Sequence, residues 1–148
     1  MKSRTIIFEK RPVGKPTAEC FRFTENPVPE PGEGEVLLKS LFVSVDPYLR
    51  GRMNVGKSYT AGFNLGDPMK SGVVAEVIKS KNPAFKSGEF VAGLLNWSEY
   101  QTSNGAGLTK VDAEAAPLSA YQGILGMPGL TAYLGLMEIG QPKPEKRL

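Results

Sequence analysis

The stretch Glu35-Val36-Leu37-Leu38-Lys39-Ser40-Leu41-Phe42-Val43-Ser44-Val45 runs without a break into Asp46-Pro47-Tyr48-Leu49-Arg50-Gly51-Arg52-Met53. Its first part is the strongest strand signal in the chain, with an apolar continuity that predicts burial on both faces. Its second part reads as a loop with a turn-forming Asp-Pro, a phenol, two guanidiniums and a glycine hinge. Polar and aromatic groups placed by a rigid strand are what a small-molecule site needs. The plain alternative is a strand-ending turn with a half-buried tyrosine.

Outward from this stretch, short β-type segments separated by glycine and proline fill most of the chain, which has 17 Gly and 12 Pro. Arg4–Glu9 and the alternating Cys20–Thr24 read as strands. Asn26–Gly34 reads as an extended connector, because its prolines lack backbone donors and bias the residues before them away from helix. Ser71–Lys79, Glu89–Leu95, Trp97–Thr102 and Leu108–Val111 continue the series. Many short strands at this spacing predict a closed or partly closed barrel, mainly β with short α. After Asp112 the texture turns helical over Pro117–Leu125 and Gly129–Ile139. In the second segment Leu130, Tyr133, Leu134 and Met137 form one apolar face, with Gly140 as the expected C-cap. The expected division is residues 1–116 as a barrel domain and 117–148 as a helical linker.

With 148 residues, 41% hydrophobic and 22% charged, the chain has room for one core. A net charge of +3 with scattered lysines and arginines gives no footprint for nucleic acid. The mild positive field suits an anionic ligand such as a phosphorylated dinucleotide, and a solvated lysine surface accounts for it equally well. There is no histidine and a single cysteine. That excludes the usual zinc sets and serine-histidine or cysteine-histidine catalysis, so no metal is expected. Cys20 is expected as a buried, inert thiol. The amino terminus lacks the apolar core of a signal peptide, and no stretch approaches a membrane span. A soluble protein of the reducing cytoplasm, bound neither to membrane nor to nucleic acid, is the expectation.

Several motifs in order resemble one family. Pro27-Val28-Pro29 and Gly34-Glu35-Val36-Leu37 look like its early strands, and Val43–Met53 like its signature loop. Ser71–Val77 stands where zinc-dependent relatives carry a glycine-histidine-glutamate run. Trp97-Ser98-Glu99-Tyr100 resembles its tryptophan-x-glutamate-tyrosine strand, and Leu125-Gly126-Met127-Pro128-Gly129-Leu130-Thr131-Ala132-Tyr133 its linker helix. The family is that of the zinc-independent medium-chain reductases of the prostaglandin reductase (leukotriene B4 dehydrogenase) and plant double-bond reductase type. The resemblance implies a GroES-like, partly open β-barrel facing a Rossmann domain across a cleft. It implies NADPH as cofactor and reduction of α,β-unsaturated ketones or aldehydes.

By that resemblance Tyr48 is the catalytic expectation, donating a hydrogen bond to a developing enolate oxygen or a ribose hydroxyl. Arg50 and Arg52 are expected to bind a substrate carboxylate or phosphate, or else to pin the loop. Tyr59 and Phe63 are expected to line the pocket or pack, Asp46 to cap the turn, and Trp97 and Tyr100 to serve as core or barrel-lip aromatics. Met127 and Tyr133 are expected to face the cleft or a missing domain, Met127 touching both substrate and cofactor. No Gly-x-Gly-x-x-Gly is present, and the run Gly123–Gly129 has the wrong spacing for one. The expectation is therefore an N-terminal domain without its Rossmann partner, inactive alone and self-associating, as a homodimer, through its uncovered helix. The alternative is a stand-alone GroES-like barrel serving as a non-catalytic binding or scaffold module.

Overall fold

The computed structural model describes residues 1–56 and 60–143. Its strands are β1 (Lys2–Phe8), β2 (Phe21–Pro27), β3 (Val36–Val43), β4 (Lys70–Ser80), β5 (Phe90–Asn96), β6 (Tyr100–Ser103) and β7 (Thr109–Val111). β1 and β2 make a two-stranded ribbon, and the rest a five-stranded sheet in the order β6-β3-β4-β5-β7. Every one of these pairings is antiparallel. The ribbon is stitched to the corners of the larger sheet through the backbone of β1. The Ile6 N–H donates to the Trp97 carbonyl, the Met69 N–H to that of Ile6 and the Glu99 N–H to that of Arg4, each at 2.9 Å. The result is the expected mainly β, partly open barrel with short helical pieces.

Two apolar clusters fill it. One joins Val36 and Leu38 of β3 to Val73, Ala75 and Val77 of β4 and to Val91 and Leu95 of β5. The other gathers Phe8, Leu49, Met53, Phe63 and Met69 beneath the ribbon. Each such side chain withdrawn from water contributes roughly 1.5–3 kcal/mol before entropy is charged against it. The expectation that β3 is buried on both faces holds only for Val36, Leu37 and Leu38; Phe42 and Val43 are exposed, as is Val45 beyond the strand. The reason is lateral. β6 pairs with β3 over Val36–Lys39 only, so the far half of β3 stands at an open edge, where Ser40, Leu41 and Val43 line the second hollow described below.

The C-terminal part is a 3₁₀ turn (Leu118–Gln122), the helix α2 (Met127–Leu134) and a wider, π-type turn (Gly135–Gly140). The helix thus starts earlier than expected, with Pro128 in its first turn, where the fixed φ of proline suits a helix start. Gly129 is a packing requirement: a Cβ there would sit 1.7 Å from the Ile124 carbonyl oxygen. The expected cap at Gly140 is corrected. The wider turn carries the chain one residue on, and Gln141 adopts the left-handed conformation with φ 41°. Its N–H donates to the Leu136 carbonyl at 2.9 Å. Neither α2 nor the π-type turn has a buried residue. No helix among the described residues is long and apolar enough to cross a membrane.

Candidate functional site

Residues 48–52, expected as a loop, form a short helix, α1 (Tyr48–Arg52). Leu49 and Met53, four residues apart, enter the cluster beneath the ribbon. Tyr48 and Arg52, also four apart, therefore share another stripe of the same helix and face outward. Gly51, expected as a hinge, lies within the helix, and α1 has no side-chain cap. The Asp46 side chain instead accepts the Ser44 hydroxyl. A residue with no sequence signal locks the far end: Arg11 donates to the Met53 carbonyl at 2.7 Å and to the Phe63 carbonyl at 3.1 Å.

The outward stripe lines a cleft of about 410 Å³. Ser44, Asp46, Tyr48, Arg52 and Thr60 contribute from the strand end, α1 and the segment after it. Gly72 and Leu94 contribute from β4 and β5, and Tyr121, Gln122, Met127 and Pro128 from the helical part. A mostly apolar hollow with a few convergent polar groups fits a small organic ligand. Tyr48, Arg52 and Met127 are thus brought together, and Arg50 is not. The Arg50 guanidinium donates to the carbonyls of Gly14 at 2.9 Å and Pro12 at 3.3 Å and to Asn54 Oδ1 at 2.6 Å, pinning the chain around α1. Arg52 donates only Nε, to the Ala61 carbonyl at 3.0 Å, and lies 4.2 Å from the centre of the Phe63 ring. Its two terminal nitrogens take no protein acceptor among the described residues. Tyr59 lies outside the described residues, Phe63 is buried in the core and Tyr133 is exposed on α2. The Trp97 indole donates to Ser71 Oγ at 2.7 Å, and that hydroxyl donates to the Ser44 carbonyl at 2.7 Å. A buried serine so links the barrel lip to the strand end carrying α1.

Sequence reasoning missed Tyr121 and Gln122, which come from a segment read only as helical, along with Ser44 and Thr60. A second hollow, of about 420 Å³, includes Ile6, Phe23, Leu41 and Trp97 with the Arg4–Glu99 pair. There Arg4 donates to Glu99 Oε1 at 2.6 Å from Nη2, and its backbone N–H donates to Oε2 at 2.9 Å. Those hydrogen bonds, the side-chain one first, hold the Glu99 carboxyl below the usual carboxylate range. The charged groups of that hollow are paired with each other, whereas Tyr48 and Arg52 converge with Met127 on the other, and the cleft at Tyr48 is the candidate site. No group of three or more His, Cys, Asp or Glu among the described residues could hold a metal ion. In the 123–129 run Gly126 and Gly129 are used in packing, a Cβ at Gly126 lying 2.5 Å from the Tyr121 carbonyl oxygen.

Residues 4–111 match the family model described as the N-terminal domain of oxidoreductase. The chain belongs to that family. It is 42% identical over 147 residues to the NADPH-dependent curcumin reductase of Escherichia coli (strain K12), covering 99% of this chain and 43% of the relative. It is 42% identical over 142 residues to prostaglandin reductase 1 of Rattus norvegicus, covering 94% and 41%. The crystal structure of CurA in complex with NADPH from Vibrio vulnificus superposes with a TM-score of 0.86 at 42% identity, covering 95% of this chain and 42% of that one. The chain spans about two fifths of the length of the curated relatives it matches.

Proposed function

We propose that this chain supplies the substrate-side wall of an NADPH-dependent reductase acting on the C=C bond of α,β-unsaturated ketones or aldehydes. The observation that carries this reading is the convergence of Tyr48, Arg52 and Met127 on one apolar cleft. Support comes from relatives named curcumin reductase, prostaglandin reductase and 2-alkenal reductase. Tyr48 is the catalytic residue of this reading, its hydroxyl donating toward the carbonyl oxygen that gains negative charge as the alkene is reduced. Arg52 meets an anionic group of substrate or cofactor with its two terminal nitrogens, which take no acceptor among the described residues. Met127 lines the cleft, and Arg50 keeps α1 in place. NADPH supplies hydride when bound. With no Gly-x-Gly-x-x-Gly in its sequence, the chain is not expected to bind NADPH or turn over by itself. In this division residues 1–116 are the substrate domain and 117–148 lead toward a nucleotide-binding partner. The setting is the cytoplasm, where the buried free thiol of Cys20 stays reduced.

The test is to extend the chain with its natural downstream coding sequence and follow NADPH oxidation with 2-nonenal. The extended protein is expected to turn over, this chain alone is not, and Tyr48→Phe in the extended protein is expected to lose on the order of 100-fold in kcat. An extended protein that consumes no NADPH with any enone or alkenal overturns the reading. One observation favours a second reading, a non-catalytic binding module: the exposed apolar face of α2. In either reading that face draws chains together, as a homodimer or looser self-association.

A further inference from the structure

Among the polar groups of the cleft with no part in the reaction as assigned is the carboxamide of Gln122. Its position is built from two sides. The Tyr121 hydroxyl donates to the Asp112 carbonyl at 2.8 Å and accepts the Asp112 N–H at 3.2 Å, tying the 3₁₀ turn to the end of β7. The next residue, Gln122, then reaches over β4 at Gly72, where an added Cβ would lie 2.5 Å from Gln122 Oε1. The space occupied by the carboxamide exists only because residue 72 has no side chain. Half-buried and lining the cleft, the carboxamide takes no protein partner among the described residues.

We propose that Gln122 is a specificity-determining residue, selecting substrates with a hydroxyl group in addition to the reacting carbonyl over plain alkyl ones. This rests on the reading that the cleft holds the substrate. A carboxamide both donates and accepts, so it meets both the proton and the lone pairs of a hydroxyl. The charged groups of the cleft are one-sided, the Arg52 guanidinium only donating and an ionised Asp46 only accepting, while the Ser44 hydroxyl is engaged with Asp46 and that of Tyr121 with Asp112. Tyr48 is already assigned to the carbonyl. A substrate with an alkyl chain at this point would strip water from the Gln122 amide and return nothing, and such unpaired polar groups are how hydrogen-bonding sites reject the wrong ligand. For one neutral group at a half-exposed place the expected discrimination is about 3- to 10-fold.

The test is an NMR titration of the 148-residue chain with two unreactive saturated probes, 4-hydroxy-2-nonanone and 2-nonanone. The hydroxyketone is the more water-soluble, so apolar burial alone favours the other probe. The expected result is about 3- to 10-fold tighter binding of the hydroxyketone, with the side-chain NH2 signals of Gln122 moving for that probe only. Gln122→Leu, similar in size, is expected to level the two affinities, weakening the hydroxyketone and strengthening 2-nonanone. Gly72→Ala, which keeps the glutamine but displaces it, is expected to act in the same direction. Should either variant fail to fold, the Gln122 NH2 signals of the unaltered chain still decide. Equal binding of the two probes at the cleft, a preference that survives Gln122→Leu, or unmoved Gln122 signals overturns the inference and leaves the reductase reading standing. Binding of neither probe near Tyr48 and Gly72 removes the substrate cleft itself and the inference with it.

Discussion

Two parts of this chain are comparably rich in apolar residues and meet opposite fates. In β4, Val73, Val74, Ala75 and Val77 are fully buried, because β3 and β5 flank the strand and the apolar clusters close over it. In α2 and the turn after it, Leu130, Tyr133, Leu134 and Met137 stay 46–61% exposed. A strand of a curved sheet finds its cover in the strands beside it in sequence and space. No residue of α2 or of the turn after it is buried among the described residues, so the apolar stripe states a demand for cover without naming the cover.

The contrast predicts where substitutions will be felt. Leu38→Ala in the strand core is expected to cost about 2–5 kcal/mol, read as a lowered denaturant midpoint; a loss comparable to that of a surface residue would break the contrast. Ser71→Ala strands the Trp97 indole donor in a half-buried place and is expected to cost about 1–3 kcal/mol, with a change in tryptophan fluorescence as a second readout. The paired change Leu130→Ser and Met137→Ser is expected to leave the stability of the chain within about 0.5 kcal/mol while reducing self-association in sedimentation velocity. A strictly monomeric unaltered chain at high concentration would remove the self-association proposal.

The smallest expected effect is electrostatic. Arg4 holds the Glu99 carboxyl below its ordinary value, and Lys110, with the Lys86 backbone N–H, does the same for Glu89. The unfolded chain then binds protons on these groups more readily than the folded one. The stability they provide is fully present above the ordinary glutamate value of about 4.3 and is lost as pH falls through the depressed folded values. Both pairs are solvent-exposed, so the contribution is small and salt-sensitive. Glu99→Gln is expected to flatten the acid limb of the stability curve slightly; an unchanged limb would assign acid sensitivity to other carboxylates.

The strands were legible because apolar runs bounded by glycine and proline leave few alternatives, and Arg4–Glu9, Ser71–Lys79 and Glu89–Leu95 lie within a residue or two of where they form. The segment from Asp46 to Met53 lines a cleft, as its polar and aromatic content suggested, but was misjudged as a loop. Its decisive pattern, Leu49 with Met53 inward and Tyr48 with Arg52 outward, spans barely more than one helical turn, too short for periodicity to declare itself. Arg50 and Arg52 were indistinguishable in the sequence. They differ in the fold because one has carbonyls within reach on every nitrogen and the other has an aromatic face and an open cleft.

The sequence by itself settled the strand inventory, the exclusion of imidazole and thiolate-cluster chemistry, and the presence of an apolar helical face near the C-terminal end. Each of these depends on residue type or on neighbours within a few positions. Only the tertiary structure decided that Gln122 lies against Gly72, that Tyr48 and Met127 share a cleft, and that Arg11 holds the end of α1. Those contacts join residues far apart along the chain, and side-chain periodicity specifies which face turns inward but never what waits opposite it.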